Sequence, residues 1–88
     1  NVTIKEKKTN NQYLENKERN RVQGKIKRLE KEIEEREAKV ERLHEEMSSE
    51  EICTSYVKLA ELQSQVDELE KEIEEKMDLW QELSSSLE

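Results

Sequence analysis

Two series of apolar residues run along the chain at alternating steps of three and four residues, and polar residues fill most other positions. This spacing is the heptad pattern of a coiled coil, in which the apolar positions face a partner helix. The first series consists of Val22, Ile26, Leu29, Ile33, Val40, Leu43 and Met47. The second consists of Leu59, Leu62, Val66, Leu69, Ile73, Trp80, Leu83 and Leu87. We therefore expect two long helices that pack along these positions.

A short polar stretch at residues 48–55 separates the two series. A connection of this length returns the second helix antiparallel to the first. The predicted fold is all-α, an antiparallel two-helix coiled-coil hairpin with a short helical turn at its tip. Its predicted parts are a linker or helix lead-in over residues 1–12 and a hairpin domain over 13–88, with a helix over 13–47, a turn over 48–55 and a helix over 55–87.

The turn contains its own helix signals. Ser48 and Glu51 have the spacing of a capping box, which predicts a short helical turn. Thr54 or Ser55 can then cap the second long helix. Ile52 is the large aliphatic residue of the turn, and we expect it to fold inward and cover the end of the core.

A cation interrupts each apolar series once, at Arg36 in the first and at Lys76 in the second. Either the aliphatic stems cover the core while the charges stay in water, or the two cations fix the register of the helices. The segment LEKEIEE occurs once in each series, starting at Leu29 and at Leu69. Two registers remain open, with Ile33 opposite Lys76 or opposite Leu69.

Glutamates precede cations by four residues within each helix. This spacing favours ion pairs along one helix, each worth a few tenths of a kcal/mol. The predicted pairs are Glu32–Arg36, Glu35–Lys39 and Glu72–Lys76.

The composition agrees with a long helical structure. Charged residues make up 44% of the chain and hydrophobic residues 31%, with no proline and one glycine, as is typical of coiled coils. No stretch approaches the roughly 20 apolar residues that span a bilayer, and no signal peptide opens the chain. We expect a cytoplasmic protein whose one cysteine forms no internal disulfide. Because Asn1 is not a methionine, we also expect the chain to be part of a longer protein.

The sequence contains no catalytic pattern. It has no phosphate-binding glycine loop, no HExxH motif and no nucleophile with a plausible base. His44 and Cys53 are isolated, and the many glutamates belong to solvated helix faces. We therefore expect no catalytic residue, no metal ligand and no cofactor in this chain, which is predicted not to be an enzyme.

Positive charge is concentrated at the start of the chain. Residues 1–28 contain nine Lys/Arg and three Glu, whereas residues 29–88 contain seven Lys/Arg and twenty Asp/Glu. A basic segment attracts phosphate backbones, and the acidic remainder repels them. Only Tyr13 could stack on a base, so binding should not depend on sequence. The candidate nucleic-acid-binding residues are Lys5, Lys7, Lys8, Lys17, Arg19, Arg21, Lys25, Lys27 and Arg28.

Two alternatives to this interpretation remain. The first alternative is that the basic segment is an ordinary solvated helix face that only keeps the protein soluble. At the other end of the chain, Met77 and Leu79 widen the apolar face around Trp80. This face either completes the core or docks on the remainder of a larger protein.

Four segments resemble a known family. They are YLENKE at 13–18, RLEKEIE at 28–34, YVKLAELQ at 56–63 and MDLWQEL at 77–83. Their order, and a tryptophan near the base of the hairpin, are similar to the C-terminal coiled-coil domain of ABC-F ATPases, in particular the Uup-like members.

The resemblance implies a cytoplasmic parent protein with two ATP-binding cassettes and no membrane domain. The cassettes would bind ATP and magnesium outside this chain. Family members act on ribosomes as translation or antibiotic-resistance factors, and in Uup-like members this domain is implicated in DNA binding. The expected function is therefore a non-catalytic accessory domain that contributes DNA, RNA or ribosome binding through its basic segment. The alternative is a coiled coil that docks on the parent ATP-binding cassettes or associates with itself.

Overall fold

The chain forms three helices in a computed structural model that describes the backbone of residues 2–87 and the side chains of residues 12–87. Helix α1 spans Val2–Met47, α2 spans Glu50–Cys53 and α3 spans Tyr56–Ser86. Helices α1 and α3 pack against each other as the two arms of a hairpin, and α2 lies at its tip. The molecule measures 78 × 16 × 14 Å. The predicted all-α hairpin with a helical turn at its tip is confirmed.

The first arm is longer than the sequence predicted. Helix α1 begins at Val2 rather than at Tyr13, so the segment expected as a linker or lead-in is part of it. That segment contains neither proline nor glycine, and so nothing in it breaks a helix that packing stabilises further along. Tyr13 and Leu14 on this arm are 65% and 59% exposed.

The tip is capped differently from the predicted capping box. The Ser48 hydroxyl donates to the carbonyl of Glu45 at 2.8 Å. This side chain is therefore hydrogen-bonded to the last turn of α1. Ser49 is the N-cap of α2 and makes no side-chain capping bond. The predicted cap of the second long helix is confirmed at Ser55, whose hydroxyl accepts the backbone N–H of Lys58 at 3.4 Å.

The tightest part of the core lies near the tip. Leu43, Leu62 and Val66 form a buried cluster, and Val66 is fully buried. Ile52 packs against this cluster as predicted. Toward the base, Leu29 and Ile33 are also buried. The other predicted core positions are half-buried, namely Val22, Ile26, Val40, Met47, Leu59, Leu69, Ile73, Leu83 and Leu87.

Trp80 is the exception among the predicted core residues, because it is 37% exposed. The seam between two helices is only two side chains wide, and an indole is too large to be covered within it. Its Nε1–H donates to Glu30 Oε1 at 3.0 Å, which holds the ring against the side of α1.

Two ion pairs that cross between the helices decide the register. Lys76 Nζ lies 2.8 Å from Glu32 Oε2, and Arg36 Nε lies 3.2 Å from Glu72 Oε2. Residues 32–36 therefore lie beside residues 72–76, and Ile33 is opposite Lys76. The same contacts correct the predicted pairs along single helices, because both glutamates bind a cation of the other helix instead.

The two crossing ion pairs join equivalent positions of the repeated segment LEKEIEE. Glu32 and Glu72 occupy the same position in the two copies of LEKEIEE, and Arg36 and Lys76 directly follow those copies. When the copies lie antiparallel, each glutamate reaches the cation that follows the other copy. The side chains of Arg36 and Lys76 are 28% and 24% exposed, so their stems cover the core while their charges bind across it. The third predicted pair, Glu35–Lys39, is not within 4.0 Å in the described structure.

Candidate nucleic-acid interface

Four of the predicted cations share one side of α1. Lys17, Arg21, Lys25 and Arg28 follow one another at steps of four, four and three residues, which places them in a line along a helix. All four are exposed. They belong to one continuous helix, so their spacing is set by its backbone. We call these four residues the basic edge.

The charges of the basic edge are largely available to a ligand. Arg21 Nη1 lies 4.0 Å from Glu18 Oε2, and both side chains are 68% exposed. Such a solvated pair contributes little. Among the residues with described side chains, no other member of the basic edge lies within 4.0 Å of a carboxylate.

The remaining predicted cations are placed elsewhere. Positions two apart in a helix face nearly opposite directions, so Arg19 and Lys27 lie off the basic edge, although both are exposed. Arg19 instead lines an open cleft of about 530 Å³ beside Val22 and Leu87. Outside the residues with described side chains lie three further candidates, Lys5, Lys7 and Lys8.

Tyr13 adjoins the basic edge, because it precedes Lys17 by four residues on the same helix. The residue is 65% exposed. It is therefore placed where a base could stack on it while phosphates contact the neighbouring cations.

Glu32 lies one turn beyond the last residue of the basic edge. The hydrogen bond from Lys76 holds the pKa of Glu32 below its ordinary value. The nearby charges of Arg36 and Arg28 act in the same direction. The negative charge of this carboxylate is therefore already balanced by cations of the hairpin.

The hairpin matches a known family over most of both arms. The ABC transporter C-terminal domain family matches residues 11–85, which is most of the chain. This chain belongs to the ABC transporter C-terminal domain family. No curated protein and no solved structure matches it significantly.

The family identifies the chain as an accessory domain of an ABC protein and not as a catalytic unit. Among the side chains that the structure describes, residues 12–87, no group could hold a metal ion. None of the described helices contains an apolar stretch of the length that a bilayer requires.

Sequence reasoning missed two cations of this domain. Lys39 and Arg42 line an open cleft of about 540 Å³ between α1 and α3 together with Arg36. Lys39 lies three helical turns beyond Arg28 and thus continues the direction of the basic edge. Counting charges by segment does not single out these two cations, because residues 29–88 are acidic as a whole. A helical projection of α1 would have placed Lys39 in line with the basic edge. Glu35 and Glu72 line the same cleft and offset the positive charge there.

Proposed function

We propose that this ABC transporter C-terminal domain binds the phosphate backbone of DNA or RNA, including ribosomal RNA, through the basic edge. The observation that supports the proposal is the alignment of four exposed cations, Lys17, Arg21, Lys25 and Arg28, on one side of a continuous helix. Lysine and arginine bind phosphates without reading bases. The expected contribution is therefore affinity and orientation rather than sequence recognition.

The shape of the domain supports the same function. The basic edge lies on the half of α1 that is far from the tip, in a molecule that is 78 Å long, and the acidic remainder repels phosphates. A nucleic acid would therefore meet the start of α1, while the tip points away from it. Tyr13 would add stacking on an unpaired base.

We further propose an ABC-F-type, Uup-like parent protein in the cytoplasm, where ribosomes and nucleic acids are available. Its ATP-binding cassettes would be the other partner of this domain. ATP and magnesium would bind to those cassettes, because this chain has one glycine and hence no glycine-rich phosphate loop.

Charge reversal tests the proposal. The variant that carries Lys17→Glu, Arg21→Glu, Lys25→Glu and Arg28→Glu should lose binding to a short DNA duplex and to a short RNA duplex, measured by fluorescence anisotropy at low salt. For the parent chain, the logarithm of the association constant should fall linearly with the logarithm of salt, with a slope of about 0.9 per phosphate contact on a DNA duplex.

A second variant controls for net charge. Matched in net charge to the partial variant that carries Lys17→Glu and Arg21→Glu, it carries Lys58→Glu and Lys71→Glu at exposed positions of α3. This variant should retain most of the binding. Equal losses in these two double variants would mean that the basic edge has no special role, and unchanged binding in the fourfold variant would refute the proposal directly. Circular dichroism should show full helicity in all three.

A further inference from the structure

The side of α1 opposite to the basic edge forms a groove with α3. Ile33, Met77 and Trp80 provide its apolar surface, and the groove has a volume of about 440 Å³. Met77 is 45% exposed and Trp80 is 37% exposed, whereas Ile33 is buried beneath them. A broad apolar surface beside a narrow two-helix seam is a feature of binding surfaces. We call it the Trp80 groove.

Three carboxylates border this groove on α1. Glu30, Glu34 and Glu37 follow one another at steps of four and three residues, so they stand in a line one helical turn apart. No cation lies within 4.0 Å of them among the residues with described side chains. Glu30 accepts the indole N–H of Trp80, which leaves Glu34 and Glu37 with the most accessible charges.

The charge of the groove defines what can occupy it. Phosphate ligands are repelled by the three carboxylates. A second copy docked by the same groove is disfavoured too, because a two-fold interface would bring the carboxylates of both copies together. A basic partner with an apolar side chain would pair with the carboxylates at the border and cover the apolar surface of the groove.

We propose that the Trp80 groove binds a basic amphipathic helix of another polypeptide segment. Apolar side chains of that helix would cover Met77 and Trp80, and lysines or arginines one turn apart would pair with Glu34 and Glu37. A helix fits because it presents side chains at the same 5.4 Å spacing as the carboxylates along α1. A cation placed over the exposed indole face adds a cation–π contact. The hairpin then gains a third helix, the arrangement of helix-in-groove recognition.

A single tryptophan in the chain makes the proposal directly measurable. The probe is a synthetic helical peptide with leucine on one face and lysine on the flanking positions, titrated into the full 88-residue chain. We expect a saturable change in the fluorescence of Trp80. The same peptide with serine in place of leucine should bind at least about tenfold more weakly, because it has no apolar face to bury.

Two matched variants separate the groove from general attraction to an acidic chain. Glu34→Gln with Glu37→Gln should weaken peptide binding about fivefold at low salt. Glu68→Gln with Glu75→Gln removes the same charge from exposed positions of α3 outside the groove, and should change binding less than about twofold.

Three results would overturn the proposal. They are equal weakening in both charge variants, equal binding of the leucine and serine peptides, and concentration-dependent dimerisation of the chain alone that is abolished by Met77→Ser. The last result would make a second copy the occupant. The charge-reversed basic edge should bind the peptide at least as well as the parent chain, so failure here is distinguishable from failure of nucleic-acid binding.

Discussion

Lys76 and Glu32 join the two arms of the hairpin through a contact of 2.8 Å between Nζ and Oε2. Both side chains are partly covered, with exposed fractions of 24% and 34%. Arg36 and Glu72 repeat the contact with the roles of the helices exchanged. The two pairs align the same segment of both arms, so any shift of register breaks both at once. We infer that they select the register rather than add much stability, since ion pairs of this kind offset their own desolvation.

The ion pair between Glu32 and Lys76 should make the free energy of unfolding depend on pH in the acidic range. Because the hydrogen bond from Lys76 lowers the pKa of Glu32 in the folded state, the unfolded chain binds more protons there. The stabilisation is fully present above the ordinary pKa of about 4.5 and is lost as the pH falls through the lower folded-state pKa. Thermal unfolding between neutral and acidic pH measures this loss.

Glu32→Gln should flatten that dependence on pH below about 4.5, because glutamine does not titrate. The matched control Glu74→Gln alters an exposed glutamate with no ion pair in the described structure, and should leave the curve nearly as it is. If both variants follow the parent curve, the pair has no thermodynamic link to protonation.

Replacing Arg36 by leucine should raise the melting temperature. Leucine completes an apolar layer at a seam position, and the remaining Glu72 side chain is 51% exposed and stays hydrated. The expected gain is about 1 kcal/mol, or about 5 °C for a domain of this size. Arg42→Leu is the control, because its exposed site offers no core contact and should give no gain. A lower melting temperature for Arg36→Leu would show that the pair with Glu72 outweighs apolar packing.

Val66 and Val57 offer a matched pair of substitutions in α3. Val66 is fully buried, whereas Val57 is 67% exposed. Val66→Ala should destabilise the hairpin by about 2 kcal/mol through lost burial and a cavity near the tip. Val57→Ala should change the free energy of unfolding by less than about 0.5 kcal/mol. Urea denaturation followed by circular dichroism measures both, and similar effects would mean that the tip cluster is not the centre of the core.

Ser55 and Ser49 provide a similar comparison at the tip. Ser55 accepts a backbone N–H of α3, whereas Ser49 precedes α2 without a side-chain bond. Ser55→Ala should cost about 1 kcal/mol, and Ser49→Ala a few tenths at most. The ratio of the two losses, obtained from the same denaturation experiment, tests the assignment of the cap. Equal losses would show that hydration of the tip matters more than capping.

Much of the architecture was predictable from local pattern. The alternating three- and four-residue steps identified both arms, the core positions from Val22 to Leu83 other than Trp80, and the antiparallel return at residues 48–55. Ile52 was predicted to cover the end of the core, and Ser55 was one of two predicted caps of the second long helix, with Thr54 as the other, because hydroxyl side chains favour the N-cap position. Heptad spacing determines these features because the period of a helix decides which residues share a face.

The basic edge was only partly predictable. The sequence identified its four residues within a larger group of cations, but their alignment depends on one continuous helix. It also placed Trp80 in the core, whereas the structure leaves this residue 37% exposed in an acidic groove. Side-chain size relative to the width of the seam decided that outcome, and size is not visible in a pattern of apolar and polar positions.

The sequence by itself determined the two helices, their antiparallel return and the concentration of positive charge at the start of α1. It did not determine the register, because Ile33 could face Lys76 or Leu69 with acceptable apolar layers in both arrangements. Only the tertiary structure decided between them, through Lys76–Glu32 and Arg36–Glu72. The physical reason is that apolar contacts are non-directional and tolerate a shift, whereas paired charges require specific atoms to meet.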